Sequence, residues 1–365
     1  MLYSKLGKPI LFRMDPEKAH HLIINGLSAA GAVPGARQLM KAAWGVKRSP
    51  ELATTLWGID FPNPIGLAAG LDKNAKAVRG FSQIGFGFME VGTITPKPQP
   101  GNELPRLFRL PQDEALINRM GFNNVGAAEM ARNLSKVGTH AIPVAINIGK
   151  NKTTPNEQAE EDYRACIRTL FAYGDFFVVN ISSPNTPDLR NLQHGNDLHR
   201  LLEAVMAEMN LQRERHGGEG KPVLVKIAPD LSDAELALTV GTIKESGVSG
   251  IIATNTTLGR DGLTHANRGQ AGGLSGKPLT QRSTEMIGKV YALTEGKLPI
   301  IGAGGIFSAQ DAYDKIRAGA SLVEVYTALI YEGPTLLARL NRGLQTLLKR
   351  DGYTHISQAI GANHK

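Results

Sequence analysis

From residue 63 onward, short apolar runs alternate with longer stretches of helical spacing. The runs are NPIGLAAGL (63–71), FGFMEVGTIT (86–95), PVAINIG (143–149), DFFVVNIS (175–182), PVLVKIAP (222–229), GIIATNTT (250–257), LPIIGAGGI (298–306) and ASLVEVYTALI (320–330). Their near-continuous apolar character predicts strands buried on both faces. Between them lie segments such as NDLHRLLEAVMAEMNLQRER (196–215), where Leu198, Leu201, Leu202, Val205 and Met206 recur at helical spacing, and SDAELALTVGTIKES (232–246). Eight buried strands alternating with helices predict an α/β fold, a (β/α)8 TIM barrel. A doubly wound parallel sheet is the alternative, but no G-x-G-x-x-G opens a helix after the first run.

The polar residues of these runs gather at one end. They are Asp72 and Lys73, Thr93, Asn147, Asn180 to Ser183, Lys226, Thr254 to Thr257, Gly304 and Gly305, and Tyr326 and Thr327. Each set lies at the C-terminal end of its strand, where barrels build their active sites. One such asparagine would be a turn residue; a full ring of polar and glycine-rich ends predicts a site. GAGGI (302–306), followed by the eighth run, has the position of a barrel phosphate site, in which bare backbone N–H groups face an anion.

Ahead of the barrel, MDPEKAHHLIINGLSAAG (14–31) predicts a helix with Asp15 as N-cap and Pro16 at the first helical position. Ala19, Leu22, Ile23, Leu27 and Ala30 form its apolar face. PGARQLMKAAWG (34–45) predicts a second helix that groups Leu39, Met40, Ala43 and Trp44. The expected division is a helical extension over residues 1–48, a barrel over 49–350 and a tail over 351–365.

Charge changes the picture of that extension. Residues 1–50 hold eight Lys/Arg against Asp15 and Glu17, so they carry +6 of the net charge of +8. A basic segment on a nearly neutral body points to an anionic surface, lipid or nucleic acid. Apolar faces with basic flanks suit an interfacial hairpin, and two helices packed on the barrel are the alternative. No apolar run is long enough to span a bilayer. The acidic and histidine residues before LIINGLSAAGAVPGA (22–36) argue against a cleaved signal. The single cysteine, Cys166, excludes an intrachain disulfide and lies in a helical pattern as a core residue. The sequence holds no metal-ligand cluster, and no metal is expected.

GLAAGLDKN (66–74), NRMGFNN (118–124), NISSPNTPDLRNLQ (180–193), LVKIAPDL (224–231), ATNTT (253–257), GGLSGKPL (272–279) and IIGAGGI (300–306) together resemble the dihydroorotate dehydrogenases, in the membrane-associated, quinone-reducing class. The resemblance runs in order from about residue 10 to residue 340. It implies FMN as cofactor and the oxidation of (S)-dihydroorotate to orotate, a step of pyrimidine synthesis. In that chemistry C5 loses a proton to an enzyme base and C6 passes a hydride to the flavin, while the protein supplies orientation, a base and electrostatics.

By motif match, Ala68, Ala69, Gly70, Leu71, Asp72, Lys73 and Thr93 line the flavin, with Asn147 and Asn180 beside it. Lys226 stands at the flavin's electron-rich edge; a lysine buried at a strand end would be costly without such an anion. Thr254, Gly276, Gly305, Tyr326 and Thr327 complete that site. For the substrate the match gives Lys73, the run Asn118, Arg119, Met120, Gly121 and Phe122, then Asn180, Asn185, Asn255 and Thr256. Asparagine amides, with a donor and an acceptor together, suit a ring of alternating N–H and C=O groups.

NISSPNT (180–186) offers two serines, which could cap, attack or take a proton. The family assigns the base to Ser183, with Thr186 as a proton relay and Ser182 as a structural neighbour. The other class of the family carries cysteine at that place, so serine indicates the quinone class. His20, Arg109 and Tyr326 match positions near the quinone, which reaches the flavin through the N-terminal hairpin. The implied partners are dihydroorotate and orotate, a membrane quinone and an anionic membrane surface, with no nucleic acid and a monomeric chain on the cytoplasmic side of the cell membrane. Rival readings are a soluble dehydrogenase using fumarate or NAD, a flavin-dependent tRNA dihydrouridine synthase and a non-enzymatic phosphate-binding barrel. The first would lack the hairpin, the second would need an RNA-binding domain and a cysteine acid, and the third leaves Lys73 and Lys226 without a purpose.

Overall fold

The computed structural model describes residues 3–365. Eight parallel strands close into a barrel in sequential order: Ile65–Leu67, Phe88–Ile94, Val144–Ile148, Phe176–Asn180, Val223–Ile227, Gly250–Ala253, Ile300–Ala303 and Ala320–Val325. The last strand pairs with the first, Val323 opposite Ile65 and Glu324 opposite Gly66. All eight expected runs are strands. The eighth is shorter than its apolar pattern suggests, because residues 327–332 turn into a short helix, Thr327–Glu332, rather than extending it.

Alternation along each strand explains both the core and the site. Phe88, Ala145, Val178, Leu224, Ile252 and Leu322 meet inside the barrel in one apolar cluster. Two residues further along, on the same inward face, stand Glu90, Asn147, Asn180, Lys226, Thr254 and Glu324. The interior therefore changes from oil to polar groups within one step of the pleat, toward the C-terminal mouth. At Gly66 a Cβ would come within 2.2 Å of the Phe88 ring, so glycine is what lets that ring fill the axis.

The opposite mouth is closed by a hairpin of Thr54–Leu56 and Ile59–Phe61. Its turn places both Trp57 and Gly58 at positive φ, as a tight primed turn demands. The Trp57 indole then packs near Phe61 and Phe176 and donates to the Ser249 carbonyl at 2.9 Å. At the C-terminal mouth an antiparallel sheet of Leu107–Leu110, Ala115–Asn118 and Gly273–Gly276 raises a wall.

The helical extension forms as its capping signals indicate. Asp15 Oδ1 accepts from the Glu17 and Lys18 amides at 3.0 Å each, and Pro16–Ala32 and Pro34–Trp44 are helices. A further short helix, Lys8–Arg13, precedes them and was not read from the pattern. The apolar face of the longer helix is divided: Ala19 and Ile24 are buried on the barrel, whereas Leu22 and Ile23 are exposed. Residues 351–365 lie on the barrel, with Ile356 and Ala359 buried and the Gly361 amide bonded to the Ile316 carbonyl.

Candidate active site

The C-terminal mouth opens into a cavity of about 1250 Å³, its open side included. Its floor and walls draw on seven of the eight barrel strands and on the antiparallel wall. Ala68, Ala69, Gly70 and Lys73 follow the first strand; Thr93, Asn180 and Lys226 rise from the second, fourth and fifth. Thr254, Asn255 and Thr256 follow the sixth, Gly305 the seventh, and Tyr326 and Thr327 the eighth. Asn118, Met120, Gly121 and Phe122 come from the wall, with Gly276 behind them, and Ser183 and Asn185 from the loop after the fourth strand.

Six of the residues singled out from sequence stand outside this lining, Arg109 among them. Leu71 faces a second, apolar cavity. Asp72 is buried and turned into its own loop, accepting from the Lys76 and Ala77 amides at 2.9 and 2.7 Å. Asn147 lies beneath the floor and reaches the cavity through Asn180. Arg119 points to the rim, bonded to Gln270 and Ala271 and lying over the Phe108 ring. Thr186 is buried, and its hydroxyl has no hydrogen-bond partner among the described residues.

The amides form a connected network. Asn180 Nδ2 donates to Thr93 Oγ1 at 2.9 Å and to Asn147 Oδ1 at 3.1 Å, and Asn147 Nδ2 donates to Glu90 Oε1 at 2.6 Å. Asn185 Nδ2 donates to Asn118 Oδ1 at 3.2 Å. Ser182 is consumed by this frame, its hydroxyl donating to Asn180 and accepting from Asn255 Nδ2 at 2.9 Å. Ser183 instead lines the cavity, its Oγ accepting only the Asn185 amide at 3.2 Å, so its proton and a lone pair stay available to a ligand.

Charge in the cavity is more structured than the sequence suggested. Contrary to the expectation from sequence, Lys226 needs no bound anion to offset its burial, because the chain supplies two carboxylates. Lys226 Nζ lies 2.6 Å from Glu90 Oε2 and 3.4 Å from Glu324 Oε2, all three side chains being buried. Burial lowers the Lys226 pKa, but the two carboxylates outweigh it and the net shift is upward. Burial pushes Glu324 well up, and Glu90 beside it adds to the rise. Glu90 also accepts the Ala69 amide at 2.9 Å, which ties the cluster to the loop after the first strand. The signal for both glutamates was present: each interrupts an otherwise apolar strand, in FMEVG and LVEVY.

Among the described residues, no carboxylate is in ion-pair contact with Lys73. Its Nζ donates to Asn123 Oδ1 at 2.7 Å, and burial brings its pKa down to about 7. His20 stands nearby; burial and the Lys73 charge bring its pKa down to about 3, so its ring is neutral.

Beneath the N-terminal helices lies the second cavity, about 2140 Å³ and lined mainly by apolar side chains such as Leu11, Phe12, Ile24, Leu27 and Leu71. It shares His20, Leu107, Leu116 and Tyr326 with the first. Arg109 sits in it, donating to the Met14 carbonyl at 2.8 Å and lying over the Phe12 ring. Glu17 and Arg106 pin the helices down through a bidentate ion pair, closest approach 2.7 Å, that sequence reading missed.

Comparison with known proteins decides the family. The dihydroorotate dehydrogenase family description matches residues 51–348. The chain belongs to the dihydroorotate dehydrogenase family. It is 57% identical over 366 residues to a dihydroorotate dehydrogenase (quinone) of Deinococcus deserti, covering 99% of this chain and 100% of that one. It is 55% identical to the protein of the same name from Deinococcus radiodurans, covering 97% and 98%. Among solved structures, DHODH from Eimeria tenella in complex with ferulenol superposes with a TM-score of 0.89 at 40% identity, covering 96% of each chain. The ligand-free form gives a TM-score of 0.87 at 41% identity, covering 96% of this chain and 100% of that one.

Proposed function

We propose that this chain oxidises (S)-dihydroorotate to orotate and passes the electrons through FMN to a membrane quinone, as a step of pyrimidine synthesis. The observation that carries this reading is the pair of cavities, one polar and one apolar, meeting at His20, Leu107, Leu116 and Tyr326. A polar site for a charged substrate and an apolar site for a lipid-soluble acceptor are then served from one wall.

The residues present fit FMN. Glycine turns at Gly276 and Gly305 suit a phosphate: both have positive φ, and a Cβ would strike the Glu114 carbonyl at the first and Thr280 at the second. Ala68, Ala69, Gly70, Thr93, Lys226, Thr254, Tyr326 and Thr327 would hold the remainder, with Glu324 Oε1 a buried oxygen without a partner beside them. Leu71, Asp72 and Asn147 would act behind this layer. When bound, FMN supplies a two-electron acceptor that exchanges electrons with substrate on one side and quinone on the other.

The chain's own groups then do the rest. Lys73, Asn118, Asn180, Asn185, Asn255 and Thr256 orient the substrate ring and its carboxylate, while the Met120, Gly121 and Phe122 backbone shapes the wall above it. Arg119 braces that wall from the rim. Ser183 takes the C5 proton, and Thr186, whose hydroxyl has no hydrogen-bond partner among the described residues, passes the proton on. His20, Arg109 and Tyr326 line the approach of the quinone.

The same reading makes the chain a peripheral protein of the cytoplasmic membrane face, acting as a monomer and without a nucleic-acid partner. Leu6, Ile10, Leu22, Ile23, Val33 and Leu39 are exposed on the N-terminal helices and the link between them, among exposed Lys5, Arg13, Lys18 and Lys41. Apolar groups with basic neighbours suit an anionic lipid surface. No helix among the described residues is long and apolar enough to cross a membrane. The test is an absorption spectrum of the purified protein: flavin bands that dihydroorotate bleaches without oxygen support the reading, and a colourless protein or an unbleached flavin refutes it.

A further inference from the structure

Glu90, Lys226 and Glu324 come from the second, fifth and eighth barrel strands and meet on the axis. They are 0%, 5% and 1% exposed, so bulk water balances none of their charges. One ammonium faces two carboxyl groups. Were both ionised, the cluster would carry a net negative charge under a cavity floor, which is costly at low dielectric.

The hydrogen bonds show how the two carboxyls differ. Glu90 is fully engaged: Lys226 and the Ala69 amide donate to Oε2 and Asn147 donates to Oε1, every contact an incoming donor. Glu324 has only the longer contact to Lys226, at 3.4 Å, and an Oε1 with no partner among the described residues. A second ionised carboxylate would therefore lie buried beside Glu90 with no donor but the ammonium that Glu90 already holds more closely.

We propose that Glu90 and Glu324 hold a single proton between them, so that the pair balances Lys226 and sets the electrostatic field beneath the flavin. The lysine is then not a free cation waiting for an anion. It is half of a neutral cluster, and Glu324 is a carboxylic acid whose free oxygen faces the cavity. Both glutamates are positioning residues acting through Lys226. Removing either one is self-correcting: the remaining carboxyl gives up the shared proton and keeps the cluster neutral. Only loss of both leaves the ammonium alone.

The inference rests on the flavin reading for its consequence, though not for its proton, and two readouts separate these. The first is carbon-13 NMR of the full chain labelled at the glutamate side-chain carboxyl, with resonances 90 and 324 assigned from E90Q and E324Q. At neutral pH the wild type should show one protonated carboxyl between the two, and in each single variant the survivor should be ionised. Two ionised carboxylates in the wild type would overturn the proposal. So would a Glu324 that stays protonated in E90Q, because burial alone would then hold its proton. Asp72, also buried with a raised pKa, keeps its resonance out of a glutamate-labelled sample. The second readout is the flavin midpoint potential: the upward shift in E90Q/E324Q should exceed the sum of the two single shifts. Additive shifts would show independent charges and contradict a shared proton. Should E90Q fail to fold, Glu90→Ala takes its place, and the wild-type spectrum overturns the proposal by itself if it shows two ionised carboxylates.

Discussion

Lys226 Nζ stands 2.6 Å from Glu90 Oε2 at the bottom of the candidate active site. Ion pairs in such places are costly to halve. Lys226→Met should destabilise the chain by about 3–5 kcal/mol, since it leaves buried carboxyls without their cation. Urea denaturation midpoints check the stability, and flavin content after gel filtration should fall with it. A variant with the wild-type midpoint would show that the pair carries little of the barrel's stability.

Ser183 differs from Ser182 in having a hydroxyl left free for a ligand. Ser183→Ala should retain FMN and bind orotate, while flavin reduction by dihydroorotate slows by about 10²- to 10⁴-fold, the usual loss for a general base. Anaerobic stopped flow measures this. Ser182→Ala should act on stability rather than on the chemical step, because its hydroxyl only bridges Asn180 and Asn255. Wild-type reduction by Ser183→Ala would move the base elsewhere.

Lys73 gives the site a pH dependence whose sign can be worked out. Burial lowers its pKa from 10.5 to about 7, so above that pH the free cavity holds a neutral amine. An anionic ligand favours the charged form and must draw in a proton. Orotate affinity should be flat below about pH 7 and fall above it, by up to about tenfold per unit. Lys73→Met should bind more weakly and lose the slope. Orotate titrations followed by the flavin spectrum test this.

Glu17 holds the N-terminal helices to Arg106. Burial pushes its carboxyl up, and the hydrogen bond and charge of Arg106 more than offset that, leaving the pKa below the usual 4.5. A lowered carboxyl contributes stability above its unfolded pKa and loses it as the pH falls through its folded one. Amides of residues 16–32 should therefore be well protected, relative to their intrinsic exchange rates, at neutral pH and lose that protection as the pH falls below the usual carboxylate range. Glu17→Gln should lower the protection at neutral pH as well. Slow exchange in that variant would mean that apolar packing alone docks the helices.

The barrel was legible because buried parallel strands write continuous apolar runs, and the site because its polar residues sit at strand ends. What sequence concealed were pairings between distant positions. Glu90 and Glu324 lie 234 residues apart in the chain and become one unit only when the barrel closes. The same holds for Glu17 with Arg106, and for the wall built when Gly273–Gly276 pairs with Ala115–Asn118. The turn at Trp57 and Gly58 was passed over because its strands have only three residues each. The divided face of the Pro16–Ala32 helix was hidden for another reason: apolar periodicity marks what avoids water, without saying whether barrel or lipid covers it.

In the reading proposed above, one chain links dihydroorotate to a membrane quinone across the wall at His20, Leu107, Leu116 and Tyr326. Sequential mixing without oxygen tests it most directly. The protein, bound to anionic liposomes, is first mixed with dihydroorotate and then with a long-tailed quinone, fumarate or NAD, while flavin absorbance is followed. The expected result is bleaching in the first step and rapid recovery with quinone only. Recovery with fumarate or NAD in place of quinone, or a flavin that dihydroorotate never bleaches, would contradict the account.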